Sequence, residues 1–198
     1  ENIEFAVREI AEYKDYKLMN QLKMPIAIPA VDLKSGKEII FTNVKQNEDN
    51  YISDIEICKA VRASCSFPGM YAPCMYKEYC FSDGGILDNI PIKEAKKLGA
   101  DKVIVVQFEE GNMPKKNNMY TIIMRSLDIM SHQMVKEILK EGDHILNIGI
   151  GDVGLLDIRK INKCYKIWRG KVKRVWITIK RYIKIIMKKF ESPYPLIP

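Results

Sequence analysis

One carboxylate stands where it could act as a base. In Phe81-Ser82-Asp83-Gly84-Gly85-Ile86-Leu87-Asp88-Asn89-Ile90-Pro91-Ile92, a short apolar run ends on Asp83 and two glycines follow. An aspartate on a sharp strand-to-loop turn projects into a cleft. Gly84 and Gly85 permit backbone torsions and close approaches that a Cβ would block. A free aspartate, with a pKa near about 4, is a weak base. It becomes effective only within hydrogen-bond reach of its proton donor and where desolvation raises its basicity. Alone, an Asp-Gly turn is common, and its plain reading is a solvated turn residue.

Other reactive groups are few. The two histidines are His132 and His144. His132 falls at helical spacing from Asp128 and Lys136 and reads as a satisfied or solvent-facing side chain; His144 opens a strand. The five cysteines, Cys58, Cys65, Cys74, Cys80 and Cys164, are an odd number with no CxxC pair. That pattern favours neither a disulfide framework nor a zinc site and fits a reducing compartment. They read as small buried apolar residues, although Cys65 and Cys74 fall near the Asp83 loop and could line a pocket. No metal and no cofactor is expected.

Elements must hold Asp83 in place. Residues 1–22 carry Ile3, Val7, Ile10, Tyr13 and Leu18 at helical spacing, and Pro25 closes that helix. Residues 26–31 and 38–42 read as a hairpin around Lys34-Ser35-Gly36. Asp54 is placed to cap a helix running to Ala63, and Phe67-Pro68-Gly69 breaks the chain into a loop. A strand at 79–81 leads into Asp83. Pro91 opens a helix that stops at Gly99. The apolar run 103–106 reads as a strand buried on both faces. A helix over 120–140 and a strand over 144–150 follow, and Asp157 is placed to cap a helix to Trp168. Alternating strands and helices predict an α/β three-layer fold with a largely parallel sheet.

Two segments carry more. Ala60-Val61-Arg62-Ala63-Ser64-Cys65-Ser66-Phe67-Pro68-Gly69-Met70-Tyr71-Ala72-Pro73 fits A-x-x-A-S-x-x-x-P-G-x-x-x-P, and the Asp83 segment fits D-G-G-x-x-x-N-x-P. Together they resemble the second half of a patatin-like phospholipase domain. The hairpin Ala30-Val31-Asp32-Leu33-Lys34-Ser35-Gly36 and the stretch 148–160 are similar to further segments of that family, and the resemblance spans roughly residues 20–170. It implies a three-layer α/β/α patatin-like fold, incomplete at its N-terminus, and a serine hydrolase acting on lipid acyl esters through a Ser–Asp dyad. Asp83 would be the proton acceptor. Gly84, Gly85, Asn89, Ser64 and Pro68 would support the active-site loop. Arg62 would brace the same loops, face an anionic head group, or stand as a surface charge.

The chain departs from the family where the nucleophile should be. Neither G-x-S-x-G nor G-G-G-x-R-G occurs in the 198 residues. Those segments supply the nucleophile elbow and the oxyanion donors, which account for most of acyl-transfer catalysis. Ser64 and Ser66 have no such loop beside them and read as structural. The expectation is the C-terminal portion of a longer enzyme, inactive by itself. The alternative is a non-catalytic membrane-associated or interaction protein that keeps part of the fold.

Composition supports a globular chain: 47% hydrophobic and 29% charged residues exclude a disordered one. The net charge of +7 is uneven, because residues 159–190 hold 13 Lys or Arg and no Asp or Glu, leaving 19 basic against 25 acidic residues elsewhere. Residues 1–170 read as the enzyme portion and 171–198 as a basic amphipathic helical tail. Val172, Val175, Trp176, Ile179, Tyr182 and Ile183 fall on one side of its wheel. Such a helix either packs on the body or lies on an anionic membrane with Lys173, Arg174, Trp176, Lys180, Arg181 and Lys184 at the surface. Basic charge without a recognised motif or stacking platform gives no expectation of nucleic-acid binding. The setting expected is the cytoplasm of a bacterium, with the tail able to reach the inner face of the membrane.

Overall fold

The hairpin forms where turn chemistry predicts it. β1 (Ala27–Asp32) and β2 (Lys37–Thr42) pair antiparallel from Ala27↔Thr42 to Asp32↔Lys37. Gly36 takes φ +69° in the connection, a left-handed torsion that a side chain would strain. Consecutive residues Ile39, Ile40, Phe41 and Thr42 are all buried, so both faces of β2 are covered, as a layered α/β fold requires. The structure, a computed structural model, describes residues 2–108, 118–148 and 169.

The main sheet has the order β3-β2-β1-β5-β4, with β3 at Tyr51–Ile52, β4 at Cys74–Tyr76 and β5 at Tyr79–Asp83. β5 runs antiparallel to both β1 and β4, and β3 is parallel to β2. The α/β class stands, but the expected largely parallel sheet is corrected to a mixed one. The reason is connection length: β1–β2 and β4–β5 are joined by tight turns, which can link only antiparallel neighbours.

α1 (Asn2–Tyr13) is shorter than the periodicity predicts. Asp15 takes φ +58°, while Tyr16 N donates to Ala11 O and Asp15 N to Glu12 O. That is a Schellman closure with aspartate in the left-handed position. Beyond it, Met19 is fully buried and its N–H donates to Ile55 O. Burial of Met19, ahead of Pro25, is what bends the chain away from the helix.

α2 (Ile57–Ser64) packs against β1, β5 and β4, and α1 packs on α2. Its N-cap is Glu56, not Asp54, whose carbonyl instead accepts from the Tyr76 hydroxyl. The core gathers Met19, Ala30, Ile39, Phe41, Ile55, Ala60, Ala63, Cys74 and Phe81. Phe81 meets Phe41 edge-on at 5.1 Å and stacks on Tyr79 at 5.1 Å. Each such aromatic pair contributes on the order of 1 kcal/mol beyond its burial, and together they anchor the strand that ends at Asp83.

α3 (Ile92–Lys97) follows Pro91 and ends through Gly99 at φ +97°. α4 (Met119–Ile138) is capped by Asn118, whose side chain accepts from Thr121 N. β6 (Ile104–Phe108) and β7 (His144–Ile148) form a separate two-stranded sheet. The expected two-sided burial of β6 is corrected: Val105 is buried, whereas Ile104 is 39% and Val106 53% exposed. The strand alternates because it belongs to a two-stranded ribbon.

The chain divides into two units, one of Glu1–Val105 with Lys116–His144 and the other of Val106–Lys115 with Ile145–Pro198. The expected helix from Asp157, the tail and the boundary at residue 170 lie outside the described residues. Among those described, no helix is long and apolar enough to cross a membrane.

Candidate active site

Asp83 is the last residue of β5, and a 3₁₀ turn, Gly84–Ile86, begins immediately after it. Its Oδ1 accepts from Gly85 N at 2.8 Å, so the carboxylate caps its own turn. Oδ2 has no hydrogen-bond partner among the described residues. Burial raises the Asp83 carboxyl above its ordinary pKa, and the Gly85 N–H only partly offsets this. A half-buried carboxylate with one engaged oxygen is the state in which an aspartate gains basicity.

The two glycines differ in how tightly they are confined. A Cβ on Gly84 would lie 2.5 Å from the Pro29 carbonyl oxygen, so β1 can approach the turn only because that position is bare. A Cβ on Gly85 would lie 3.0 Å from both Asn89 Oδ1 and Asp83 Oδ1. Asn89 thus stands over the turn, and its Nδ2 donates to Ser131 Oγ on α4 at 3.3 Å. Asp88, in the same loop, is also pushed up by burial, with Ile90 N donating to it.

The loop after α2 meets Asp83 from the other side. The Ser66 carbonyl accepts from Asp83 N at 3.1 Å and from Ser82 Oγ at 2.9 Å. Ser66 is 1% exposed, and its hydroxyl donates to Arg62 O at 2.8 Å while accepting from the Arg62 guanidinium. Ser64, two residues earlier, makes no side-chain hydrogen bond among the described residues; Ser66 makes the bonds expected of it. Pro68 is half-buried in the same loop. Cys65 is half-buried near Asp83, and burial followed by the Asp83 charge raises its thiol, which makes it a poor nucleophile. Cys74 is buried in the core. His132 Nε2 lies 3.3 Å from Asp128 Oδ1 on α4, as the spacing predicts.

Asp32 has a part the motif reading did not assign. It is 4% exposed and accepts from Ser35 Oγ at 2.6 Å, Ser35 N at 3.1 Å, Lys34 N at 3.3 Å and Cys80 N at 3.0 Å. Its burial alone would raise the carboxyl, but the Ser35 hydroxyl and three backbone donors outweigh it and hold the pKa below the ordinary value. The bond to Cys80 N ties the hairpin to β5. The signal was present as Asp-x-x-Ser ahead of Gly36, a side-chain-to-backbone turn pattern. Among the described residues no cluster of His, Cys, Asp and Glu could hold a metal ion.

A half-buried carboxylate thus stands at the end of a sheet strand, ahead of Gly84, which the Pro29 backbone requires to be small. Residues 18–96 match the model of the Patatin-like phospholipase family. That match ends short of residue 170, where the motif resemblance reaches.

The chain is 46% identical over 46 residues to Lysophospholipase NTE1 of Meyerozyma guilliermondii, covering 23% of this chain and 3% of that protein. It is 26% identical over 137 residues to Lysophospholipase NTE1 of Lodderomyces elongisporus, covering 56% of this chain and 10% of that protein. An uncharacterized NTE family protein of Mycobacterium tuberculosis is 32% identical over 90 residues, 46% of this chain and 22% of that protein. The chain thus spans a small part of the length of the curated relatives it matches.

Proposed function

We propose that this chain supplies the base half of a lipid acyl hydrolase that uses a Ser–Asp dyad. Asp83 accepts the proton of a serine hydroxyl as that oxygen attacks the ester carbonyl. The fatty acyl group passes to the serine, and Asp83 gives the proton to the departing oxygen, which leaves as the alcohol. Asp83 then activates the water that releases the fatty acid. The serine comes from outside residues 1–198, which alone do not turn over esters. The observation that carries this reading is the Asp83 carboxylate itself: half-buried, capped through one oxygen by Gly85 N, with the other oxygen unbonded among the described residues.

The lysophospholipase relatives favour a single-chain phospholipid or similar ester as substrate. The basic tail, outside the described residues, would hold the enzyme on an anionic surface through Lys173, Arg174, Lys180, Arg181 and Lys184. Sedimentation with anionic liposomes at varied salt tests that contribution; no binding at low salt removes it.

The test of the dyad uses protein produced from the coding sequence with its upstream portion. It should react with a fluorophosphonate serine probe and lose esterase turnover on Asp83→Asn. Unchanged turnover in that variant removes Asp83 from the mechanism. An authentic start codon just before Glu1 would replace the enzyme with a non-catalytic protein of the same partial fold.

A further inference from the structure

Arg62 lies on α2, away from the aspartate turn in sequence, yet its guanidinium is spent inward. One end nitrogen donates to Ser66 Oγ, and the other donates to the Ala72 carbonyl at 2.7 Å. Its plane centre lies 5.9 Å from the Tyr71 ring centroid. These contacts join the two ends of the loop between α2 and β4. Only a forked donor spans two such acceptors; an ammonium supplies a single point of charge. With two donors engaged, Arg62 is not a free arm for an anionic head group.

The loop it closes is the one that holds β5. The Ser66 carbonyl takes both Asp83 N and Ser82 Oγ. We propose that Arg62 is a positioning residue for Asp83: it clamps Ser66 and Ala72, and through the Ser66 carbonyl it fixes the end of β5 so that the carboxylate stays withdrawn from water. The mechanism is geometric. The Asp83 carboxyl is influenced by its burial and by the Gly85 N–H, with no cation among the causes.

The catalytic meaning of this clamp rests on the reading of Asp83 as the base, but its test does not need turnover. It uses the 198-residue chain as wild type, Arg62→Met, Arg62→Lys and Ser66→Ala. Two readouts are taken: amide exchange at Asp83 against Phe41 in β2, and the carboxyl ¹³C titration of Asp83. Arg62→Met should lower Asp83 protection by about fivefold or more, the scale of one net hydrogen bond, with Phe41 unchanged. The Asp83 midpoint should move down, toward an ordinary aspartate, as water enters. Arg62→Lys should shift both in the same direction, and Ser66→Ala should reproduce them because the guanidinium loses its acceptor.

An upward shift in Arg62→Met would show a nearby counter-charge and overturn the clamp. Unchanged exchange and midpoint would reduce Arg62 to a surface charge. A wild-type-like Ser66→Ala beside a shifted Arg62→Lys would exclude the route through Ser66. If Arg62→Met does not fold, the lysine and alanine variants still decide. Failure of Asp83→Asn to abolish turnover would sink the base reading and leave these outcomes untouched.

Discussion

Asp32 and Asp83 stand two rungs apart on one ladder: Asp32 pairs with Phe81, and Asp83 pairs with Ala30. The first is locked by four donors and lies below its ordinary pKa. The second has one donor and lies above it. Burial raises both carboxyls, but four donors outweigh it at Asp32 and one donor does not at Asp83. A saturated carboxylate is a structural tie with no basicity to give. A desolvated one with an open oxygen is available for chemistry. The glycines of the two turns differ in the same sense. Gly36 has open space around it and serves its torsion, whereas Gly84 is set by the Pro29 backbone pressing on it.

The comparison breaks first at activity. In the complete enzyme, Asp83→Asn should reduce turnover by about 10²–10⁴-fold, the range of a general base, while Asp32→Asn should change it far less. Esterase kinetics on the two variants check this.

Stability should show the reverse ranking. Asp32→Ala strands buried donors, including Cys80 N, and should cost about 1–3 kcal/mol in urea unfolding. Gly84→Ala should cost a similar ~1–3 kcal/mol by overpacking against the Pro29 backbone. Gly85→Ala meets only side-chain ends and should cost less, while displacing the Asp83 carboxylate. Asn89→Ala should be the mildest, at most about 1 kcal/mol.

The pH dependence carries opposite signs. The folded Asp32 pKa is depressed, so its contribution is present above the ordinary aspartate value and is lost as pH falls through the folded one. Asp32→Ala should flatten the acid limb of unfolding midpoint against pH. The folded Asp83 pKa is raised, so its contribution is present below the ordinary value and is lost as pH rises through the folded one. Asp83→Asn should therefore be the more stable protein at neutral pH.

The turn that carries Asp83 could be read from sequence because turn chemistry is local. The hairpin was legible for the same reason. Asp83, Gly84, Gly85 and Asn89 fall within one short loop, whereas the Pro29 backbone that requires Gly84 comes from β1. What could not be read depends on distant partners. α1 ends at Tyr13 because Asp15 reverses the chain and Met19 enters the core, and neither event shows in the spacing of Ile3, Val7 and Ile10. The apolar run at residues 104–106 looks fully buried until its pairing is known, which among the described residues is with β7. Ser64 fits the motif, but the carbonyl geometry after α2 gives the bonding to Ser66. Asp32 was visible as a turn residue; its bond to Cys80 N, across 48 residues, was not.

The account rests on Asp83 being the poised carboxylate and Asp32 the spent one. Carboxyl ¹³C titration of both aspartates in the 198-residue chain tests it directly. The expected result is an Asp83 midpoint above the ordinary aspartate value and an Asp32 midpoint below it. Midpoints that coincide, or that fall in the opposite order, would contradict it.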